Sequence, residues 1–160
     1  MSSINNSAGV FICLVVAWAI TFFIGLGGTI ADIELLIGSG ANAILTLLSG
    51  ICIAQLNAYN LLLIGTYSTI IALALGGFLG GLISRSISGA FVIAISYMIL
   101  LFAIPIAFTT ITTYDPMLSI QIVLITLGAT AADQAITIIV AFVAILIPAV
   151  IGGSITKPRV

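Results

Sequence analysis

The stretch 130-TAADQAI-136 decides how this chain is read. It lies inside an apolar run that starts at Met117, MLSIQIVLITLGATAADQAITIIVAFVAILIPAVIGG, in which Asp133 is the only charged residue. As one helix, Met117 to Gly152 would be about 54 Å long at about 1.5 Å per residue. The hydrocarbon core of a bilayer is about 30 Å thick. A single span would leave apolar excess in water or need an extreme tilt. Two helices meeting at Asp133 and Gln134 suit the length better. Two other arrangements remain open: one long helix continuing past the membrane, and a re-entrant helix before Asp133. Asp133 is thus a candidate hydrated turn residue or a candidate intramembrane acid.

A bilayer is invoked because of composition. Of 160 residues, 62% are hydrophobic and 4% charged, whereas a soluble domain carries about 25% charged residues. So few charges cannot cover a surface in water, and a mean hydropathy of +1.47 agrees. The length suits a single transmembrane domain over residues 1–160. Continuous apolar runs, rather than alternation, point to helices, because a backbone in lipid must satisfy its own hydrogen bonds. The expected fold is all-α: a polytopic, multi-pass bundle of about six transmembrane helices. These lie near 9–26, 41–54, 61–82, 90–108, 118–132 and 135–151. The segments between them, including GGTIADIELLIGSG, QLNAYN and TTITTYDPM, collect the polar and turn-forming residues.

The same length argument applies to the run from Gly40 to Leu82. It places a hairpin tip at Gln55, Asn57 and Asn60, whose amides bond readily to local backbone. The two halves then share a pattern. Asp32 and Glu34, QLNAYN, and GGFLGGLISR ending at Arg85 match Asp115, AADQA, and IGGSITKPR with Lys157 and Arg159. Three spans per half would make an inverted repeat and set Arg85 and the tail on opposite sides. A competing internal match, FAIPIA against AILIPAV, implies no such repeat.

Ser68, Ala72, Gly76, Gly80 and Ser84 recur every four residues and form a candidate packing face, since small residues let helix backbones approach closely in lipid. Pro105 and Pro148 lie late in their helices and can bend or end them. Tyr67, Thr66, Tyr97, Gln121 and Thr126 are polar groups within spans. With Asn57 and Asn60 at a mouth, they form a candidate polar pathway. Cys13 and Cys52 sit in apolar runs and read as buried thiols.

Absences narrow the function. There is no histidine, which removes imidazole-based catalysis and His-ligated haem or zinc. The only lysine, Lys157, is in the tail, no phosphate loop is present, and no basic patch suggests nucleic acid. An enzyme is not expected, nor a cofactor or metal. No motif ties the chain to a family, although in size and span count it resembles several small transporter and vitamin-binding membrane components. Two functions remain: a small transporter or channel component for a small solute or ion, or a non-catalytic membrane subunit packing into a larger complex. The expected partners are the lipid bilayer and either further copies of the chain or other membrane subunits.

Overall fold

The computed structural model describes residues 2–156. Lys157 and Arg159 lie outside the described residues. Every described element is helical. Helix α1 (Ser2–Ile20) continues as a π-helical segment (Thr21–Gly25). Then come α2 (Ile30–Ser39), α3 (Ala41–Leu56), a short α4 (Ala58–Leu63) and α5 (Ser68–Ser84). The second half consists of α6 (Ile87–Thr113), α7 (Pro116–Leu127) and α8 (Ala131–Ile155). Among the described residues three stretches are long and apolar enough to cross a bilayer: Ile4–Gly25, Ile87–Thr113 and Ala131–Ile155. Helix α5, with 17 residues, stands at the lower limit of about 17 for a span.

Helix α5 is the central strut, and small residues on two of its faces explain why. A Cβ added to Gly76 would sit 2.8 Å from the Cys13 carbonyl oxygen, and one added to Gly80 would sit 2.8 Å from that of Gly9. Residue 80 thus pairs with 9, and 76 with 13, so α1 and α5 are antiparallel. On the other face, Gly77 lies against the Ile145 carbonyl and Gly81 against that of Ala149. Here the numbers rise together, so α5 and α8 are parallel. In lipid, helices gain little from burying apolar surface, and close van der Waals contact is what holds them. A methyl group at any of these four glycines would push two backbones apart.

The parallel pairing overturns one expectation. Thr156 Oγ1 donates to the Leu82 carbonyl at 3.0 Å, and Gly153 rests on the carbonyl of Ser86. Arg85 therefore lies at the end of the bundle where α8 finishes and the tail begins, not opposite it. The inverted three-plus-three arrangement required the opposite placement. Helix α6 starts at this end too, with Gly89 against Asn6 and Ser84, and Ile93 against Gly80. It runs antiparallel to α5, so the end of α6 and the start of α8 share the far end of the bundle.

Helix α7 joins those two ends without traversing the bundle. Its last carbonyl, on Leu127, accepts from Thr137 Oγ1 at 3.3 Å, and the Gly128 carbonyl accepts from Gln134 Nε2 at 3.0 Å. Its tip therefore lies beside the second turn of α8, and residues 128–130 climb back past the first turn. Helix α3 shows a related pattern. It buries Ser49, Ile51, Cys52, Gln55 and Leu56, all in its C-terminal half.

The expected breaks shift as a result. The chain turns at 128–130, ahead of Asp133 and Gln134. Thr130 is the N-cap of α8, and Asp133 completes a reciprocal capping box with it. Capping needs the carboxylate in the first turn, three residues after the cap, rather than in the turn itself. Thr29 and Asp32 form the same box at the start of α2, a helix where only a loop was expected. Hydrogen bonds from Thr29 hold the Asp32 carboxyl below the ordinary aspartate range. In the first half the chain breaks twice: at Asn57 between α3 and α4, within the expected 55–60, and again at 64–67, where Gly65 takes a φ of +85°, a region that favours glycine.

Candidate functional site

Where the tips of α3 and α7 meet, the bundle holds a concentration of uncharged polar groups. Gln55, fully buried near the end of α3, donates from Nε2 to Thr21 Oγ1 at 2.9 Å and accepts from the Tyr97 hydroxyl at 2.7 Å. This ties α3 to α6 and to the π-helical segment of α1. One residue past α3, Asn57 Nδ2 donates to the Thr126 carbonyl at 3.0 Å. Asn60 Nδ2 donates to Asn57 Oδ1 at 3.0 Å and to the Leu127 carbonyl at 3.2 Å. The last carbonyls of a helix have no intrahelical partner. Those of α7 are met by side-chain donors from the two asparagines of the first half.

A cavity of about 530 Å³ opens beside this junction. Its walls come from the end of α1, α3, α4, the start of α5 and the tip of α7. Its polar lining is Thr21, Asn57, Asn60, Thr66, Thr69 and Thr126. No charged side chain lines it. Thr21 and Thr69 are almost wholly buried, at 0% and 1% exposure. The π-helical segment supplies Thr21 and Gly25 to the wall, and such segments recur at functional sites.

The residues singled out from sequence divide in three. Asn57, Asn60, Thr66 and Thr126 come together around the cavity. Tyr97 lies outside it, buried in the network with Gln55. Tyr67 and Gln121 stand apart from both: Tyr67 is exposed at the N-cap of α5, and Gln121 is exposed on α7, away from its buried face of Ser119, Val123 and Leu127. The small-residue stripe of Ala72, Gly76 and Gly80 is buried, and the two glycines face α1 of the same chain. Asp133 is exposed in its capping box.

Sequence reasoning missed Thr21 and Thr69, and it placed Gln55 in a turn. For Gln55 a signal existed: it follows the apolar run ICIA and precedes Leu56, the last residue of α3, a poor place for a hydrated amide. Nothing local marks the two threonines, since hydroxyls in apolar helices commonly bond to their own backbone.

The arrangement offers hydroxyl and amide oxygens in a low-dielectric setting. Among the described residues no three acidic, histidine or cysteine side chains cluster to hold a metal ion. Fold and site together define an all-helical membrane protein with an uncharged, largely apolar cavity that carries several hydroxyl and amide groups. No family model, curated protein or solved structure matches the chain, so its function is argued from these residues.

Proposed function

We propose that the protein is a small multi-pass membrane transporter or channel component that passes a small solute or ion through this cavity. The carrying observation is that two short helices, α3 and α7, end inside the bundle at an uncharged cavity whose largely apolar wall carries six hydroxyl- or amide-bearing residues. Irregular backbone at membrane depth is tolerated only where it is buried in protein or lines a water-filled cavity. In this reading α1, α5, α6 and α8 cross the bilayer four times. The α3–α4 segment and α7 enter and leave by one face, so each half is a span, a re-entrant segment and a span.

Charge supports an orientation. Arg85 and the start of the tail bearing Lys157 and Arg159 share one end. Asp32, Glu34, Asp115 and Asp133 are carried by segments attached to the other. Basic residues favour the cytoplasmic face, so the Arg85 end of the bundle faces the cytoplasm and the re-entrant segments open outward.

The test is solute flux into proteoliposomes, comparing the wild type with Asn57→Leu and Thr126→Val. Asn57→Leu removes the bond that joins the two tips and should reduce flux at least several-fold while the protein stays monodisperse. Thr126→Val should reduce it less. Wild-type liposomes no leakier than empty ones to ions, water or glycerol would refute the reading.

A second reading, a non-catalytic subunit of a larger membrane complex, has its own observation. An apolar groove of about 520 Å³ runs between α6 and α8, lined by residues such as Met98, Phe102, Ile138 and Phe142. A partner helix would suit it as well as lipid. Obligate co-purification with a larger membrane protein in mild detergent would favour this alternative.

A further inference from the structure

We propose that the cavity between α1, α3, α4 and α5 binds a monovalent cation, an alkali ion or ammonium, through neutral oxygen atoms. This rests on the transport reading and names its substrate class.

Three observations carry it. The first is the supply of unused acceptors. Thr69 is 1% exposed, lines the cavity, and its hydroxyl makes no hydrogen bond among the described residues. Thr66, half-buried, also lines the cavity, and its hydroxyl makes no hydrogen bond among the described residues. Asn60 spends its Nδ2 on Asn57 and Leu127, which leaves its Oδ1 with no donor. Unpartnered oxygens facing a cavity are the groups that a bound ion or its water would satisfy.

The second is the field. Helix α1 with its π-helical extension, α3 and α7 all end at the cavity wall, and only α5 among the longer helices begins there. Each helix C-terminus carries partial negative charge. Three ends against one beginning leave a negative balance, although the asparagine bonds to the α7 carbonyls reduce its share. Helix C-terminal ends and backbone carbonyls coordinate monovalent cations inside membrane transporters in this way. Among the described residues no lysine or arginine lines the cavity to oppose it.

The third is what is missing from the wall. No carboxylate lines it, and protein sites for calcium or magnesium draw on carboxylates. The negative field of the helix ends disfavours an anion, and among the described residues no cationic side chain lines the wall to hold one. The volume, about 530 Å³, compares with about 30 Å³ for one water in the liquid. The ion therefore enters with part of its hydration shell.

The experiment is thermal unfolding of the purified protein in detergent. NaCl, KCl and NH4Cl are titrated against N-methylglucamine chloride at matched ionic strength. A saturable rise in Tm with at least one small cation is expected. Thr69→Val should abolish it, Thr69→Ser should retain it, and Thr46→Val, at an exposed hydroxyl bonded to the Asn42 carbonyl, should leave it unchanged. Should Thr69→Val fail to fold, the wild-type titration and Thr69→Ser still decide. A Tm indifferent to which cation is present, or an equal rise in Thr69→Val, overturns the proposal. The two readings separate cleanly. Glycerol flux without any cation effect on Tm removes the cation site and leaves transport. Saturable cation binding without flux of any ion or solute keeps the site and removes transport.

Discussion

At the scale of single residues, Gln55 shows how a polar side chain is kept inside an apolar bundle. Its donor and its acceptor are both engaged, by Thr21 and Tyr97. Bonds of this kind within membranes contribute about 0.6 kcal/mol each on average, so the network adds little net stability. Breaking it on one side is different, because a buried group left without a partner costs about 1–3 kcal/mol. Tyr97→Phe should therefore destabilise the protein by about that amount. In the Gln55→Leu/Tyr97→Phe pair the loss should be smaller than the sum of the single losses, as read by unfolding in detergent. Strict additivity would show that the two side chains do not depend on each other.

At the scale of elements, the glycines of α5 are not equivalent to glycines elsewhere. Gly81 lies directly on the Ala149 backbone, whereas an added Cβ at Gly50 meets nothing within 4 Å. Gly81→Ala must part α5 from α8 and should cost about 1–3 kcal/mol, as overpacking does. Gly50→Ala should change stability by no more than about 1 kcal/mol, the scale of helix propensity. Survival of monodisperse protein after graded heating distinguishes them, and equal survival would place the α5–α8 contact elsewhere. Gly65 is no neutral comparison: its surroundings are open, but its φ of +85° strains any side chain.

At the scale of the whole molecule, the parallel course of α5 and α8 sets the topology. Cysteine introduced at Ile87 or Ser154, at the Arg85 end, should react with an impermeant thiol reagent only from the cytoplasmic side. Cysteine at Ser39 or Met117 should react only from outside. All four positions are exposed in the bundle, and the native Cys13 and Cys52 are buried. A six-span inverted arrangement predicts that Ile87 and Ser154 label from opposite sides, so labelling decides directly between the two.

The sequence alone established the solvent and the material: four carboxylates and three basic residues among 160 residues cannot coat a protein in water, and long apolar runs in lipid close their hydrogen bonds as helices. It also showed, from length against bilayer thickness, that the runs before and after Gln55 and Asp133 must break. It even held the signal for α2 and the true start of α8, since both begin with threonine followed three residues later by aspartate. Only the tertiary structure decided where α3 and α7 end and whether they cross. That depends on which glycine faces which backbone and on which side chains meet the orphan carbonyls of α7. The Asn57 and Asn60 bonds to Thr126 and Leu127 span 69 and 67 residues. Periodicity and composition describe a helix against its solvent; they carry no record of a partner so far along the chain.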